Sequence, residues 1–192
     1  MTKATILKGK RFQLEPLDLS HYDGLSRAAN HEQIWRYMPD KATGVFFASW
    51  FAELVKKMSL GTQISYIVRR ISDQEIVGAT AYYDYHGDHK RLALGYSWYV
   101  PEMWGSGINC EAKFLMLTQA FEQWGINRVE LGADPRNTRS VSAIKKLGAI
   151  KEGVLREHMV SSDGQLTNTL IFSILAVEWP QVKAQLMQKM GQ

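Results

Sequence analysis

Two glycines one residue apart, Gly105 and Gly107, stand in the stretch PEMWGSGIN, between a strand-like run and a long apolar helical pattern. Residues without a β-carbon at such a junction let main-chain N–H groups approach an anion closely, and a helix opening behind them adds a favourable dipole. The chemistry indicated is phosphate or pyrophosphate binding by the amides of Trp104, Gly105, Ser106, Gly107, Ile108 and Asn109. Further on, Asn137 and Ser140 lie one helical turn apart, a spacing that suits helix capping as well as ligand binding. The run LREHMV carries Glu157 and His158, and an imidazole is the side-chain type that suits a general base. Asp84 ends a strand that should face the same cleft.

Two familiar phosphate motifs do not fit. No Gly-Lys-Ser/Thr follows the glycines, so a P-loop does not fit. Cys110 occupies the place of the third glycine in a dinucleotide motif, and an antiparallel meander precedes the loop where a doubly wound sheet would need parallel strands. The single cysteine rules out an internal disulfide and a zinc site built from several thiolates, and its place at the start of an apolar helix reads as a packed thiol. The run DYHGDH, from Asp84 to His89, reads as a solvated hairpin turn; with no third well-placed ligand elsewhere, no metal is expected.

The elements that must position these groups follow from periodicity. Residues 11–17 read as a strand, Asp18 can cap a helix, and residues 31–44 are irregular and aromatic. Phe46, Trp50, Leu54 and Met58 then recur at helical spacing up to Gly61. From Gln63 the period becomes two, giving a meander of three strands whose last, RLALGYSWYV, should place Leu92, Leu94, Tyr96 and Trp98 on one face. A deeply buried helix follows the glycines, with Cys110, Phe114, Leu117, Phe121 and Trp124 on one stripe. The next strand, RVELGAD, should lie parallel to the one before the helix. A second helix runs from Asn137 to Gly148, two strands flank the turn SSDGQ, and a terminal helix starts near Glu178 or Trp179. Trp35 and Tyr37, in the irregular segment, are the candidates for an acceptor pocket. At 192 residues, with 45% hydrophobic and 22% charged residues, the chain suits one domain over 1–192. The charge of +4 is scattered, which suits a small polyanionic ligand at least as well as nucleic acid, and no nucleic-acid partner is expected. No apolar run is long enough to span a bilayer and the start MTKATILKGKRFQLEP lacks a signal-like core, so neither a membrane nor export is expected and the location should be cytoplasmic.

The order of elements and the motifs GYSWYVPEMWGSGIN, NTRS and KKLGAIKEGVLREH together resemble the GNAT superfamily of N-acetyltransferases over almost the whole chain. Within it they are similar to the ribosomal-protein N-terminal acetyltransferases (RimJ/RimL-like). The resemblance implies an α+β GNAT fold: a mixed, mostly antiparallel sheet flanked by helices, with one parallel strand pair splayed to hold coenzyme A. It implies acetyl-CoA as co-substrate, its pyrophosphate on residues 104–109 and its pantetheine arm along Trp98, Tyr99 and Val100 and against Asn137. The acceptor would be a primary amine, on a protein N-terminus or a small molecule, acetylated by direct transfer in a ternary complex. Trp35, Tyr37 and Asp84 are then candidate acceptor contacts. Many members carry a tyrosine acid where this chain has Ile144, so Ser140 becomes the candidate acid. Counting on from Glu152 to the branch's basic Glu lands on Met159, which leaves neighbouring His158 as candidate base beside Glu157, Asp84 or a water chain. Glu102 departs from the family's Gln or Arg. A coenzyme A-binding regulatory module without catalysis is the alternative, and the terminal helix and strand edges could support a homodimer.

Overall fold

The computed structural model describes residues 4–162 and 164–191; Asp163, in the expected SSDGQ turn, lies outside them. The strands are β1 (Leu7–Lys8), β2 (Phe12–Pro16), β3 (Gln63–Arg70), β4 (Ile76–His86), β5 (Arg91–Tyr99), β6 (Arg128–Ala133), β7 (Ile150–Val160) and β8 (Leu166–Leu175). The helices are α1 (Tyr22–Ala29), α2 (Glu32–Trp35), α3 (Phe47–Ser59), α4 (Ile108–Thr118), α5 (Thr138–Lys146) and α6 (Trp179–Lys189). They form the expected α+β arrangement around one eight-stranded sheet, in the order β1-β2-β3-β4-β5-β6-β8-β7. Every neighbouring pair is antiparallel except β5 and β6.

Helices cover both faces of the sheet. On one face, Ala112, Met116 and Leu117 of α4, Ile144 and Leu147 of α5, and Val182 and Leu186 of α6 pack on Tyr66, Tyr82, Leu92, Leu94, Val129 and Phe172. On the other, α1 to α3 bring Leu25, Ile34, Trp35, Phe47, Phe51 and Leu54 against Ile67, Ile76, Ala79 and Trp98. The period-two residues Ile64, Tyr66 and Val68 all point to the α4 face, as alternation requires. Helix α1 is entered through Asp18, whose side chain accepts from the Ser20 amide in a capping box with His21.

Strand β5 departs from the sequence expectation in its second half. Leu92 and Leu94 point to the α4 face, but Trp98 packs on the α1–α3 side and Tyr99 takes its place. The cause is a β-bulge. Ala81 pairs with Gly95 whereas Ala79 pairs with Trp98, so Thr80 stands opposite both Tyr96 and Ser97. Tyr96 absorbs the extra residue at φ 49°, in the left-handed region. One inserted residue reverses the facing of all that follow.

Helix α4 also carries two buried charged side chains that its apolar pattern does not announce. Glu111 accepts from the amides of Arg11 (2.8 Å) and Phe12 (3.2 Å), so it ties the β1–β2 turn to the helix. A β-carbon at Gly9 would lie 2.3 Å from its Oε1, which keeps that turn free of side chains. Lys113 is 4% exposed and donates to Ser97 Oγ (2.6 Å) and Thr80 Oγ1 (3.0 Å), and among the described residues no carboxylate pairs with it. Burial lowers its pKa from 10.5 to about 7. Between those two values the unfolded amine holds a proton that the folded one has lost, so the unfolded chain binds more protons and stability rises with pH. The expected slope is at most about 1.4 kcal/mol per pH unit. Lys113→Met should remove it and be the more stable protein at pH 7. Urea midpoints of both proteins between pH 7 and 10 check this; parallel profiles would contradict it.

Candidate functional site

Strands β5 and β6 are hydrogen-bonded neighbours over only three residue pairs, Arg91 with Arg128, Leu92 with Val129 and Ala93 with Glu130. Beyond them β5 stays on β4 and β6 stays on β8, so the two diverge and a wedge opens through the sheet. The Val100 amide donates to Val77 O at 2.9 Å, toward β4. Alternation therefore turns the Tyr99 amide the other way, into the wedge. Of the three residues expected to line it with main-chain amides, Val100 has its N–H committed to the sheet, Trp98 pairs with Ala79 of β4, and Tyr99 faces the gap. The Tyr99 carbonyl accepts from Trp104 Nε1 at 2.9 Å, which fixes the indole at the wedge mouth.

The loop behind that indole has the predicted form. Gly105 and Gly107 adopt φ 79° and 86°, which a side chain would strain. Gly107 is the N-cap of α4, and the first helical bond runs from Glu111 N to Gly107 O. The Ile108 amide donates to Ser106 Oγ (3.3 Å), and the Trp104 and Ser106 amides donate within the turn. Among the described residues, the amides of Gly105, Gly107, Asn109 and Cys110 meet no protein acceptor, and together they can hold an anion with the α4 dipole behind them. Two guanidinium groups flank them. Arg11 donates through Nη1 to Ser106 O (3.0 Å), and the Arg139 guanidinium carbon lies 3.5 Å from the centroid of the Trp104 ring. Glu102 is exposed, and its charge helps the Asp73 bond raise the pKa of Arg70. Cys110 is half-buried and burial raises its pKa, which keeps the thiol protonated.

Helix α5 forms the opposite lip of the wedge. Asn137 is its N-cap and accepts through Oδ1 from the Ser140 amide at 3.0 Å, so capping and proximity to the wedge coexist. Among the described residues, the Asn137 amide NH2 and the Ser140 hydroxyl meet no hydrogen-bond partner. Ile144 is buried in the core and offers no acid.

The other face of the sheet bears the remaining candidates. Trp35 is a core residue and not a pocket wall: it is 1% exposed, donates to Ala29 O at 2.9 Å, and packs on Trp50 and Trp98. Tyr37, half-buried, stacks under Arg36 and lies 6.0 Å from Arg136, beside the start of α5. A cavity of about 20 Å³, room for one water, lies between Met38, Asp40, Trp50, Gln63, Tyr96 and Trp98. Trp98 Nε1 is buried without an acceptor. Asp84 binds Arg91 (2.7 Å) and His86 (2.9 Å), and its pKa is lowered chiefly by Arg91. It lines an open groove with Tyr83, Tyr85, Tyr96 and Lys57. His158 is exposed, its Nδ1 3.1 Å from Thr169 Oγ1, just after Glu157 at φ 48° in a β7 bulge. Thr169 lies over Gly132 of β6, opposite in facing to Phe172. Ser140 and His158 therefore stand on opposite faces of the sheet.

Sequence reasoning missed Arg11, Arg139, Tyr96 and Lys113. Arg139 sits inside the NTRS motif and could have been suspected from its place beside Ser140. The bulge had a weaker signal: Ser97, a polar residue, falls where the alternation breaks.

Comparison with known proteins accords with this geometry. Residues 11–150 match the family model described as "Acetyltransferase (GNAT) domain". The chain is 26% identical over 174 residues to the uncharacterized N-acetyltransferase p20 of Bacillus licheniformis, covering 88% of this chain and 96% of that one. A putative acetyltransferase from T. thermophilus superposes with a TM-score of 0.88 at 29% identity, covering 99% of both chains. Mycobacterium smegmatis RimJ, solved in complex with CoA-disulfide, shares the fold with a TM-score of 0.79 at 23% identity over 94% of this chain and 89% of that one. With its wedge, its glycine loop and a family match over most of its length, the chain belongs to the GNAT family of N-acetyltransferases.

Proposed function

We propose that the wedge between β5 and β6 binds acetyl-CoA from the α4–α5 side and that a primary amine reaches the thioester from the α1–α3 side. The observation that carries this reading is the end of β5–β6 pairing at Ala93 and Glu130, directly behind a loop of unpaired amides. A diphosphate fits the amides of Gly105, Gly107, Asn109 and Cys110, and the pantetheine amides fit the free edge at Tyr99 and the Asn137 amide. The amine nitrogen attacks the carbonyl carbon, the C–S bond breaks, and the Tyr99 N–H on the β5 edge holds the charge that develops on oxygen. Ser140 gives its hydroxyl proton to the departing sulfur as solvent water on that side of the wedge returns one to its oxygen. The proton of the amine leaves on the other face, to His158 or to the water around it.

The acceptor side of the sheet stays open over β6, β8 and β7, and β7 is exposed along most of its length. An open groove suits an amine with a chain behind it, so a peptide N-terminus is the acceptor we favour; the ribosomal acetyltransferases among the relatives and structural neighbours support that choice. The buried Ile144 supports a second reading, coenzyme A binding without turnover. Thiol release from acetyl-CoA with a panel of peptides and small amines separates them. Binding without amine-dependent release would leave the regulatory module.

Three variants test the assignment of groups. Arg139 has a delocalised charge facing Trp104 and the loop, so Arg139→Ala should weaken coenzyme A binding about tenfold, in the range of one charge-assisted hydrogen bond, and leave pantetheine binding unchanged. Equal loss for both ligands in calorimetry would remove Arg139 from the phosphates. Glu102→Gln should bind coenzyme A at least as tightly as the parent, and weaker binding would mean that the loop is misassigned. Cys110→Ala should keep full turnover, because direct transfer has no step for a protonated thiol; abolished turnover would point to an acyl-cysteine.

A further inference from the structure

The bulge in β5 is stitched from below by polar groups that the transfer chemistry leaves unused. Lys113 Nζ donates to Ser97 Oγ at 2.6 Å and to Thr80 Oγ1 at 3.0 Å, and the two hydroxyl oxygens lie 2.8 Å apart. Ser97 Oγ in turn donates to the Gly95 carbonyl at 3.1 Å. These residues sit where the β4–β5 register shifts, Thr80 on one strand and Gly95 to Ser97 on the other. Three polar groups thus close a ring over the irregular step, in a site that is otherwise apolar.

We propose that Lys113 is a positioning residue for acetyl transfer: by clamping Ser97 to Thr80 it fixes the bulge, and so the place where the free edge of β5 meets the thioester carbonyl. The inference rests on the acetyl-CoA reading of the wedge. A lysine is a costly way to fill a core position, since leucine or methionine would pack there without a desolvation penalty. What the amine adds is two directed donors on a flexible stem, enough to hold both hydroxyls at once. Burial brings its pKa to about 7. No ionised partner offsets a charge there. From β4 the facing groups are Thr80 and Tyr82, whose hydroxyl donates to Met116 O; from β5 they are Ser97 and Tyr99, whose hydroxyl donates to Asn109 Oδ1. On α4 itself, Glu111 is turned to Arg11 and Phe12. Near pH 7 the clamp is therefore neutral in part of the molecules and charged in the rest.

The test is the infrared carbonyl band of acetyl-CoA labelled with ¹³C at the thioester carbonyl, bound to the unaltered chain and to Lys113→Met without an amine. The unaltered chain should shift the band to lower frequency than in free acetyl-CoA, and its position should change as the pH crosses 7. In the variant the band should return toward the free value and lose that pH dependence, with the Kd for coenzyme A within about threefold and kcat down about tenfold or more at little change in KM for acetyl-CoA. Ser97→Ala, which removes the clamp's partner and leaves Lys113 in place, should move band and kcat the same way and carries the test if Lys113→Met does not fold. Folded variants with the parent's band and kcat would overturn the inference and leave the acetyltransferase reading standing. No binding of acetyl-CoA by the unaltered chain would overturn both.

Discussion

One extra residue in β5 governs the rest of the site. Thr80 opposes both Tyr96 and Ser97, and this step turns Trp98 toward the α1–α3 side while Ser97 and Tyr99 face α4. A bulge bends its strand and increases the local twist. Past it, β5 no longer follows β6, and the parallel pairing has already ended at Ala93 and Glu130. Trp104 then bonds back to the Tyr99 carbonyl, so the loop that starts α4 is hung from the strand that diverged. Position of the loop, facing of Trp98 and existence of the wedge are one structural fact.

The electrostatics of the wedge mouth follow the same economy. The family's Gln or Arg is replaced by Glu102, an acid near a site that suits a polyanion. The structure keeps that carboxylate on the solvent side, with Arg70 and Asp73 nearby, while the helix terminus, Arg11 and Arg139 supply the positive field on the wedge side. Glu111, the other acid near the loop, is neutralised in a different way, by two main-chain amides and Arg11. Among the described residues Arg139 has an aromatic face as partner and no carboxylate. Its positive charge is therefore not cancelled by a neighbouring acid, and burial lowers its pKa.

Most of the architecture was legible because it is written in periods and punctuation. The strands of the meander, the buried helix after the glycines, the parallel strand after it and the cap at Asn137 all lie where spacing and turn chemistry place them. The short β1 was not legible, since two residues carry no period; it exists because Glu111 holds the turn after it. Trp35 was misread because an aromatic in an irregular segment resembles a pocket wall, and only the packing of Trp50 and Trp98 around it shows a core. Tyr96 and Trp98 were assigned to the face of Leu92 and Leu94 because alternation is blind to a bulge. Lys113 lies on the inward side of α4, and a pattern that counts apolar residues passes over a lysine.

A reaction that brings a large cofactor and an amine from opposite sides needs an opening through the sheet. Helices α4 to α6 pack on one face of the sheet, and α1 to α3 pack on part of the other. Losing strand pairing is the one opening that leaves both walls rigid, because β5 remains bonded to β4 and β6 to β8. The unpaired edge would be unfavourable in a closed core, where buried N–H groups need acceptors. In a wedge it becomes a ready strand edge for a ligand that itself carries amides, as the pantetheine arm does. Ser140 lies on the α4–α5 side of that gap, and His158 lies on the other face of the sheet, on the outer strand β7.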